Sequence, residues 1–320
     1  MTDMGLRMLK FTTRASMGYF TPGLGSQRPG ADPEKTAFLE PAADRPEVGS
    51  NMIGFGGAMT EKGRGLHFSN PHFPWSGIER LWMAHITVPG ELDVFGGTLL
   101  GVPLPGVGFN AGQAWSLTWA DDARATYHEL ELSPESPTMY RVDGEWLEMT
   151  SKTIEVPSLN ASGDVETVER TVYETIYGPV IQHPFLPWTA GRAYAIDDFN
   201  RLNNRFMPFL MGLAKAQTVE EVRHSNMATM GNPISNVISS DSKGDVLFAS
   251  YSVAPNVDQA MIDRCVTTPT GRAMLAQMRL IIMDGTRSDC RADGIIPAEN
   301  RPSLIRDDYA VHSNNSHWIV

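Results

Sequence analysis

A serine follows a glycine at Gly49-Ser50-Asn51, where a Pro- and Gly-rich arm gives way to a strand-rich body. Taken alone, the tripeptide reads as loop. Its setting argues for more. The stretch FGGAMTEKGRG leads from it to a dense polar and aromatic cluster, Asn70-Pro71-His72-Phe73-Pro74-Trp75. His72 stands 22 residues after Ser50, although a lone histidine on a packed turn is more often structural. Other chemistries leave no trace: GxGxxG, GxxxxGK[ST], HExxH and GxSxG are all missing. The histidines at 67, 72, 85, 128, 183, 224, 312 and 317 never pair at helical ligand spacing, so nothing points to a catalytic zinc. Cys265 and Cys290 are too few for a disulfide framework and too far apart for a CxxC site. Two readings stand for them: a pair of buried thiols, or one disulfide formed in an oxidising compartment.

The elements that must hold these residues are mostly strands. SNMIGFGGAM, GLHFSN, RLWMAHITV, LDVFGGTLL, QAWSLTWA and TYHELEL are short runs with partial alternation, broken by Gly and Pro. MYRVDGEWLEM predicts a hairpin turning at Asp143-Gly144, and NVISSDSKGDVLFASYSV a second at Lys243-Gly244. TVERTVYETIYGPVI continues the strand pattern. Helices are predicted over 204–215, after a Thr218 cap, and over 271–282, with a short one over 34–40 in the arm. Many strands with a few late helices predict an α+β fold of layered, mostly antiparallel sheets.

Composition narrows the partners. The 320 residues carry 26 basic and 37 acidic side chains, a net charge of −11, which argues against a nucleic-acid partner. No apolar run approaches the length of a membrane-spanning helix, so no membrane partner is expected. The first twenty residues carry scattered basic side chains and no continuous apolar core, so they do not read as a secretory signal.

The stretch from Gly49-Ser50 through NPHFPW, ELDVFGGTLLGVPLPGVGFNAGQAWSLTW, TIYGPVI, SDSKGDVLFASYSVAPNV, MDGTRSDC and RDDYAVHSNNSHWIV resembles the catalytic subunit of the penicillin acylase family. It is most similar to the acyl-homoserine-lactone and aculeacin acylase branch, and the match covers nearly all of 50–320. The resemblance implies a four-layer αββα N-terminal nucleophile hydrolase sandwich, here incomplete. It implies a precursor that cuts itself between Gly49 and Ser50. Residues 1–49 would then end an N-terminal subunit, and 50–320 would begin the catalytic one. The freed Ser50 amine, with a pKa near 8, would be the base for its own hydroxyl, with no triad required.

By the same resemblance His72 orients the nucleophile and Phe73 lines the acyl pocket. The backbone N–H of Trp119 and the side-chain amide of Asn314 form the oxyanion hole, with Asn315 as the runner-up donor. The branch commonly has a small aliphatic residue at 119, so a tryptophan there is expected to crowd the pocket. Ile234 falls where the family often lines the acyl site with Trp. No cofactor is expected. A structural calcium, seen in some members, would use Asp121 and Asp122, although two adjacent acids are more often a solvated turn. The implied substrate is a linear acyl amide (an acyl-homoserine lactone, a lipopeptide or a β-lactam side chain), and the implied protein partner is the N-terminal subunit from the same precursor. Family members are periplasmic or secreted, which a Cys265–Cys290 bridge would suit, with any signal lying upstream of this chain. The family's two subunits both run longer than the matching parts here. A catalytically inactive remnant or a binding module of the same fold is the competing expectation.

Overall fold

In β1 (Gly49–Phe55) Ser50, Met52 and Gly54 are buried while the residues between them are half-exposed. That period of two is the signature of a strand with one covered face. The computed structural model describes residues 49–75, 80–120, 122–183 and 185–315. The predicted short helix over 34–40, and the arm itself, lie outside the described residues.

In chain order the strands that follow are β2 (Leu66–His72), β3 (Leu81–Val88), β4 (Leu92–Leu99), β5 (Val107–Phe109), β6 (Gln113–Trp119), β7 (Ala125–Ser133), β8 (Ser136–Val142), β9 (Glu145–Glu148), β10 (Thr150–Leu159), β11 (Val165–Thr175), β12 (Gly178–Ile181) and β13 (Arg192–Asp198). Helices α1 (Phe206–Lys215) and α2 (Val219–Thr229) come next, then β14 (Ser235–Asp241) and β15 (Val246–Ala249). Helices α3 (Gln259–Cys265) and α4 (Pro269–Met278) precede β16 (Ile282–Asp284), β17 (Ser303–Arg306) and β18 (Tyr309–His312).

These make three sheets. A small one has the order β18-β1-β2; a seven-stranded one runs β17-β15-β14-β6-β5-β4-β3; an eight-stranded one runs β10-β11-β12-β13-β7-β8-β9, with β16 parallel to β7. All other pairings are antiparallel. The chain is therefore α+β with mostly antiparallel sheets. One face of the seven-stranded sheet packs on α1 and α2, with Phe209, Leu210, Leu213, Val219 and Val222 closing over Trp115, Val237 and Leu247. Burying such side chains stabilises the layer by about 1.5–3 kcal/mol each. The other face takes the small sheet, through Met52, Ile238, Val246 and Ala310. Gly54 makes that approach close: a Cβ there would lie 2.6 Å from Val246 and 2.7 Å from Ser240. Helix pair, large sheet and small sheet thus give three layers, and the small sheet carries Ser50.

The predicted hairpins turn at Asp143-Gly144 and Lys243-Gly244. Thr218 caps α2 as expected, its hydroxyl accepting from the Glu221 N–H. Helix boundaries needed correction. The helix predicted over 204–215 begins at Phe206, because the Asn203 amide is spent on Asn200 and the Gly231 carbonyl. The one predicted over 271–282 begins at Pro269 under a Thr268 cap and ends at Met278, with Arg279 as a left-handed cap at φ 53°. Ile282 is strand, fully buried beside Tyr127. Helix α3, capped by Asp258, is not among the predicted helices. In the structure Cys265 and Cys290 form a disulfide, with both residues buried and Cα atoms 5.5 Å apart. It ties the end of α3 to the segment after β16, and a crosslink over 25 residues is worth about 3 kcal/mol. Among the described residues no helix is long and apolar enough to cross a membrane.

Candidate active site

The pleat of β1 puts the Ser50 side chain on the face covered by the seven-stranded sheet, where only 2% of the residue is exposed. Its Oγ donates to the Gly49 carbonyl oxygen at 2.6 Å. Its backbone N–H donates to Asn314 Oδ1 at 2.5 Å. Asn314 follows β18, which is hydrogen-bonded to β1, so the ladder Met52–His312 brings residues 264 apart in sequence into contact. The other end of the Asn314 amide, Nδ2, donates to the Trp119 carbonyl oxygen at 3.0 Å.

Trp119 ends β6. The Ala120 N–H donates to the Ile234 carbonyl, so 120 and 234 form a hydrogen-bonded pair of the ladder with β14. In an antiparallel ladder the next pair, Trp119 and Ser235, then turns its N–H and C=O away from the partner strand. Both backbone groups of Trp119 therefore point to the side where Asn314 meets its carbonyl. Asn314 Nδ2 has a second N–H beyond the one given to Trp119. That N–H, on the amide that bonds Ser50, and the Trp119 N–H on the same side of β6 are candidate donors for the site.

The Trp119 ring is not where it was expected to crowd the pocket. It shares a strand face with Trp115 and Leu117, which pack toward the helices, and lies under the Arg124 guanidinium at 5.1 Å. The reason is strand alternation: Ser116 and Thr118 take the face toward the small sheet.

His72 pairs with Gly49 across β1 and β2. Its Nε2 lies 3.2 Å from Asn51 Nδ2 and 3.1 Å from Asn70 Nδ2. Two amide nitrogens can only donate there, so Nε2 accepts and Nδ1 carries the proton. That Nδ1 faces Gly49: a Cβ built on the glycine would lie 3.6 Å from it and 2.8 Å from Asn314 Oδ1. A side chain at 49 would therefore make only ordinary contact with His72 but would have to displace the Asn314 amide.

A cavity of about 770 Å³ opens between β2 and the β3–β5 edge of the large sheet. Phe73 lines it, with Trp82, Met83, Phe95 and Phe109. Pro71, in register with Ser50 and on the same strand face, also lines it, so the cavity begins at the flank of the serine. His67, in its wall, sits between Ser116 at 2.7 Å and Ser240 at 3.3 Å, and burial pushes its pKa down to about 4, so it is neutral. The β3–β5 residues and His67 were not singled out from the sequence; the alternating runs LWMAH and DVFGG were the available signal.

Ile234 does not line the cavity. It sits at the start of β14, its carbonyl bonded to Ala120 and Arg124. Asn315 is exposed, and its backbone oxygen accepts from His312. Of the acids considered for calcium, Asp121 lies outside the described residues. Asp122 does not fit the role, because its buried carboxylate is paired with Arg301 at 2.5 Å and also bonded by Ser252. Among the described residues no cluster of three or more His, Cys, Asp or Glu could hold a metal.

Three comparisons place the chain among known proteins. The sequence profile of the penicillin amidase family matches residues 7–319. An acyl-homoserine lactone acylase, PvdQ, of Pseudomonas syringae pv. syringae is 35% identical over 341 aligned positions, which cover 100% of this chain and 43% of that protein. An aculeacin-A acylase of Actinoplanes utahensis is 38% identical over 282 positions, covering 85% of this chain and 35% of that one. The chain thus spans less than half the length of the curated relatives it matches. Among solved structures, a thermostable penicillin G acylase from Alcaligenes faecalis superposes with a TM-score of 0.67 at 19% identity, covering 83% of this chain and 44% of that one. The fold is that of the penicillin acylases, and the chain belongs to the penicillin amidase family.

Proposed function

We propose that this chain carries the nucleophile of an acylase that hydrolyses a linear amide between an acyl chain and an amine. The observation that carries the reading is the double contact of Asn314, on the Ser50 N–H and on the Trp119 carbonyl. In the first reaction Ser50 Oγ attacks the Gly49 carbonyl carbon, the acyl group moves from nitrogen to oxygen, and the proton passes to the Ser50 nitrogen. Water then cleaves the ester, leaving a Gly49 carboxylate and a free Ser50 amine. That amine takes the Oγ proton when Ser50 attacks a substrate amide, and the proton later goes to the leaving amine. The Trp119 N–H and Asn314 Nδ2 receive the oxyanion. His72, through Nδ1–H, orients the Gly49–Ser50 region.

The acyl chain would lie in the cavity beside Phe73, with its carbonyl at Ser50. Mostly apolar walls, with Arg80 as the charged lining residue and a neutral His67, suit an acyl chain. The names of the relatives support an acyl-homoserine lactone or aculeacin A as the kind of substrate, with a lipopeptide or a β-lactam side chain as further candidates. The segment preceding Ser50 would be the partner subunit released by the cut. A disulfide in the fold supports an exported protein, periplasmic or secreted. The test is mass spectrometry of the purified chain, with amine release from a long-chain acyl-homoserine lactone assayed alongside. A fragment beginning Ser-Asn-Met-Ile together with turnover is expected, and Ser50→Ala should lose both. A folded chain that stays uncut and inactive overturns the reading.

A further inference from the structure

We propose that His312 is a positioning residue for the oxyanion amide of Asn314. The inference rests on the reading of Asn314 just given and adds how that amide is held. His312 is the last residue of β18, two before Asn314, and is 7% exposed. Its Nδ1 takes the Asn314 backbone N–H at 3.2 Å and lies 2.8 Å from Thr118 Oγ1. Its Nε2 lies 2.8 Å from the Asn315 carbonyl oxygen and 3.1 Å from the Asn236 side chain.

These partners fix the ring's protonation. A backbone N–H can only donate and a carbonyl can only accept, so Nδ1 is the bare nitrogen and Nε2 carries the proton. The Asn236 amide then belongs with Oδ1 toward Nε2. That orientation satisfies Asn236 Oδ1, which otherwise is buried without a partner. The ring is further fixed by stacking on Phe248, centroids 5.7 Å apart.

The consequence reaches both sides of the oxyanion hole. Asn314 has φ 65°, a left-handed conformation that asparagine tolerates but that needs a contact to hold it. The bond from Asn314 N–H to His312 Nδ1 is that contact. Thr118, on the same nitrogen, precedes Trp119, whose N–H is the other donor. One imidazole edge therefore sets the spacing between the turn carrying Asn314 and the strand carrying Trp119. No atom of His312 needs to touch substrate.

The chemistry of the acceptor supplies the test. Asparagine at 312 places an amide oxygen where Nδ1 stands, whereas glutamine places its amide where Nε2 stands. In the full chain, His312→Asn should keep kcat for a long-chain acyl-homoserine lactone within about threefold, with normal cleavage at Gly49–Ser50. His312→Gln should lower kcat by about 10- to 100-fold with KM unchanged, since a misplacement of about 1 Å costs on that order. Thr118→Val should show a smaller loss of the same kind. All are compared at parental melting temperature, and the Asn/Gln contrast decides the matter even if a bulkier replacement fails to fold. Parental kcat in His312→Gln overturns the proposal, as does an equal loss in Asn and Gln. An Asn314→Ala arm separates the two readings. Parental rate there overturns the role of Asn314 itself, while a loss there with His312→Gln intact overturns only the positioning claim.

Discussion

Asn314 Oδ1 lies 2.5 Å from the Ser50 backbone nitrogen. A peptide N–H and a terminal amine both donate to an amide oxygen, so this one contact would serve the nitrogen before and after the proposed cleavage. Pairing of β1 with β18 brings Ser50 and Asn314 together, and the proposed cut would add the base.

Gly49→Ala is expected to slow self-cleavage severely. Its Cβ would stand 2.8 Å from Asn314 Oδ1, closer than a carbon is found, so the Asn314 amide or β1 must shift. Intact mass measured over time after purification checks this. A cleavage rate equal to the parent would mean that the pocket around residue 49 yields without cost.

Asn314→Ala should lower kcat by about 10²–10³ with little change in KM, the usual cost of one oxyanion donor. Asn315→Ala should leave the rate near parental, since Asn315 is exposed and its backbone oxygen makes the contact to His312. Steady-state kinetics of both variants decides between them. A larger loss at 315 would shift the donor by one residue.

The sequence singles out Ser50, His72 and Asn314 because each stands in a short motif, and strand pairing brings their segments together. Gly49 pairs with His72 across β1 and β2, so two residues 23 apart in the chain become neighbours. The role of His312 was not legible. Its neighbours, Thr118 and Asn236, arrive from strands far away in sequence, and only sheet stacking brings them together. The Trp119 ring was misjudged for a related reason: the sequence marks a large side chain but not which face of β6 points at Ser50. Ile234 was placed by a loose match, and the cavity is instead walled by β3–β5. The helix expected over 271–282 starts earlier because Thr268 caps it with Pro269 in the first turn, and stops earlier because its apolar run continues into β16, where a parallel strand partner outweighs helical periodicity.

Asp198 gives a pH-dependent term. Burial raises its pKa from 3.8 to about 6, against the Asn200 N–H that it accepts and with Asp197 adding to the rise. The folded state binds this proton more tightly than the unfolded chain. Its stabilising effect is therefore full below about pH 3.8 and is lost as pH rises through 6, about 3 kcal/mol in all. His67 and His128, pushed down to about 4 and about 3, act with the opposite sign over an overlapping range. The comparison must therefore be between variants. Asp198→Asn keeps the acceptor for Asn200 and should gain stability relative to the parent as pH rises from 4 to 6.5. Denaturant melts across that range test it, and a constant difference between the two would exclude the effect.

Arg301 supplies the last prediction, because it puts a fixed cation against Asp122. The residue is 6% exposed, and its Nη2 meets the Asp122 carboxylate at 2.5 Å and Ser252 Oγ at 2.8 Å, while Nε holds the Ser250 carbonyl at 2.7 Å. Nε and Nη2 of the guanidinium thus bond acceptors on the loop after β6 and on the segment after β15. Replacing it by methionine keeps most of the volume but leaves the buried Asp122 carboxylate with only the Ser252 hydroxyl, and removes the Nε donor to the Ser250 carbonyl. Breaking one side of such a pair costs about 3–5 kcal/mol. Arg301→Met should therefore melt well below the parent. Removing both charges together, with Asp122→Leu added, should recover part of the loss, since the desolvation cost goes with the second charge. A protein whose cation is covalently its own should also melt at the same temperature in chelator and in millimolar calcium. A rise in melting temperature with calcium would show that a metal, and not Arg301, balances Asp122.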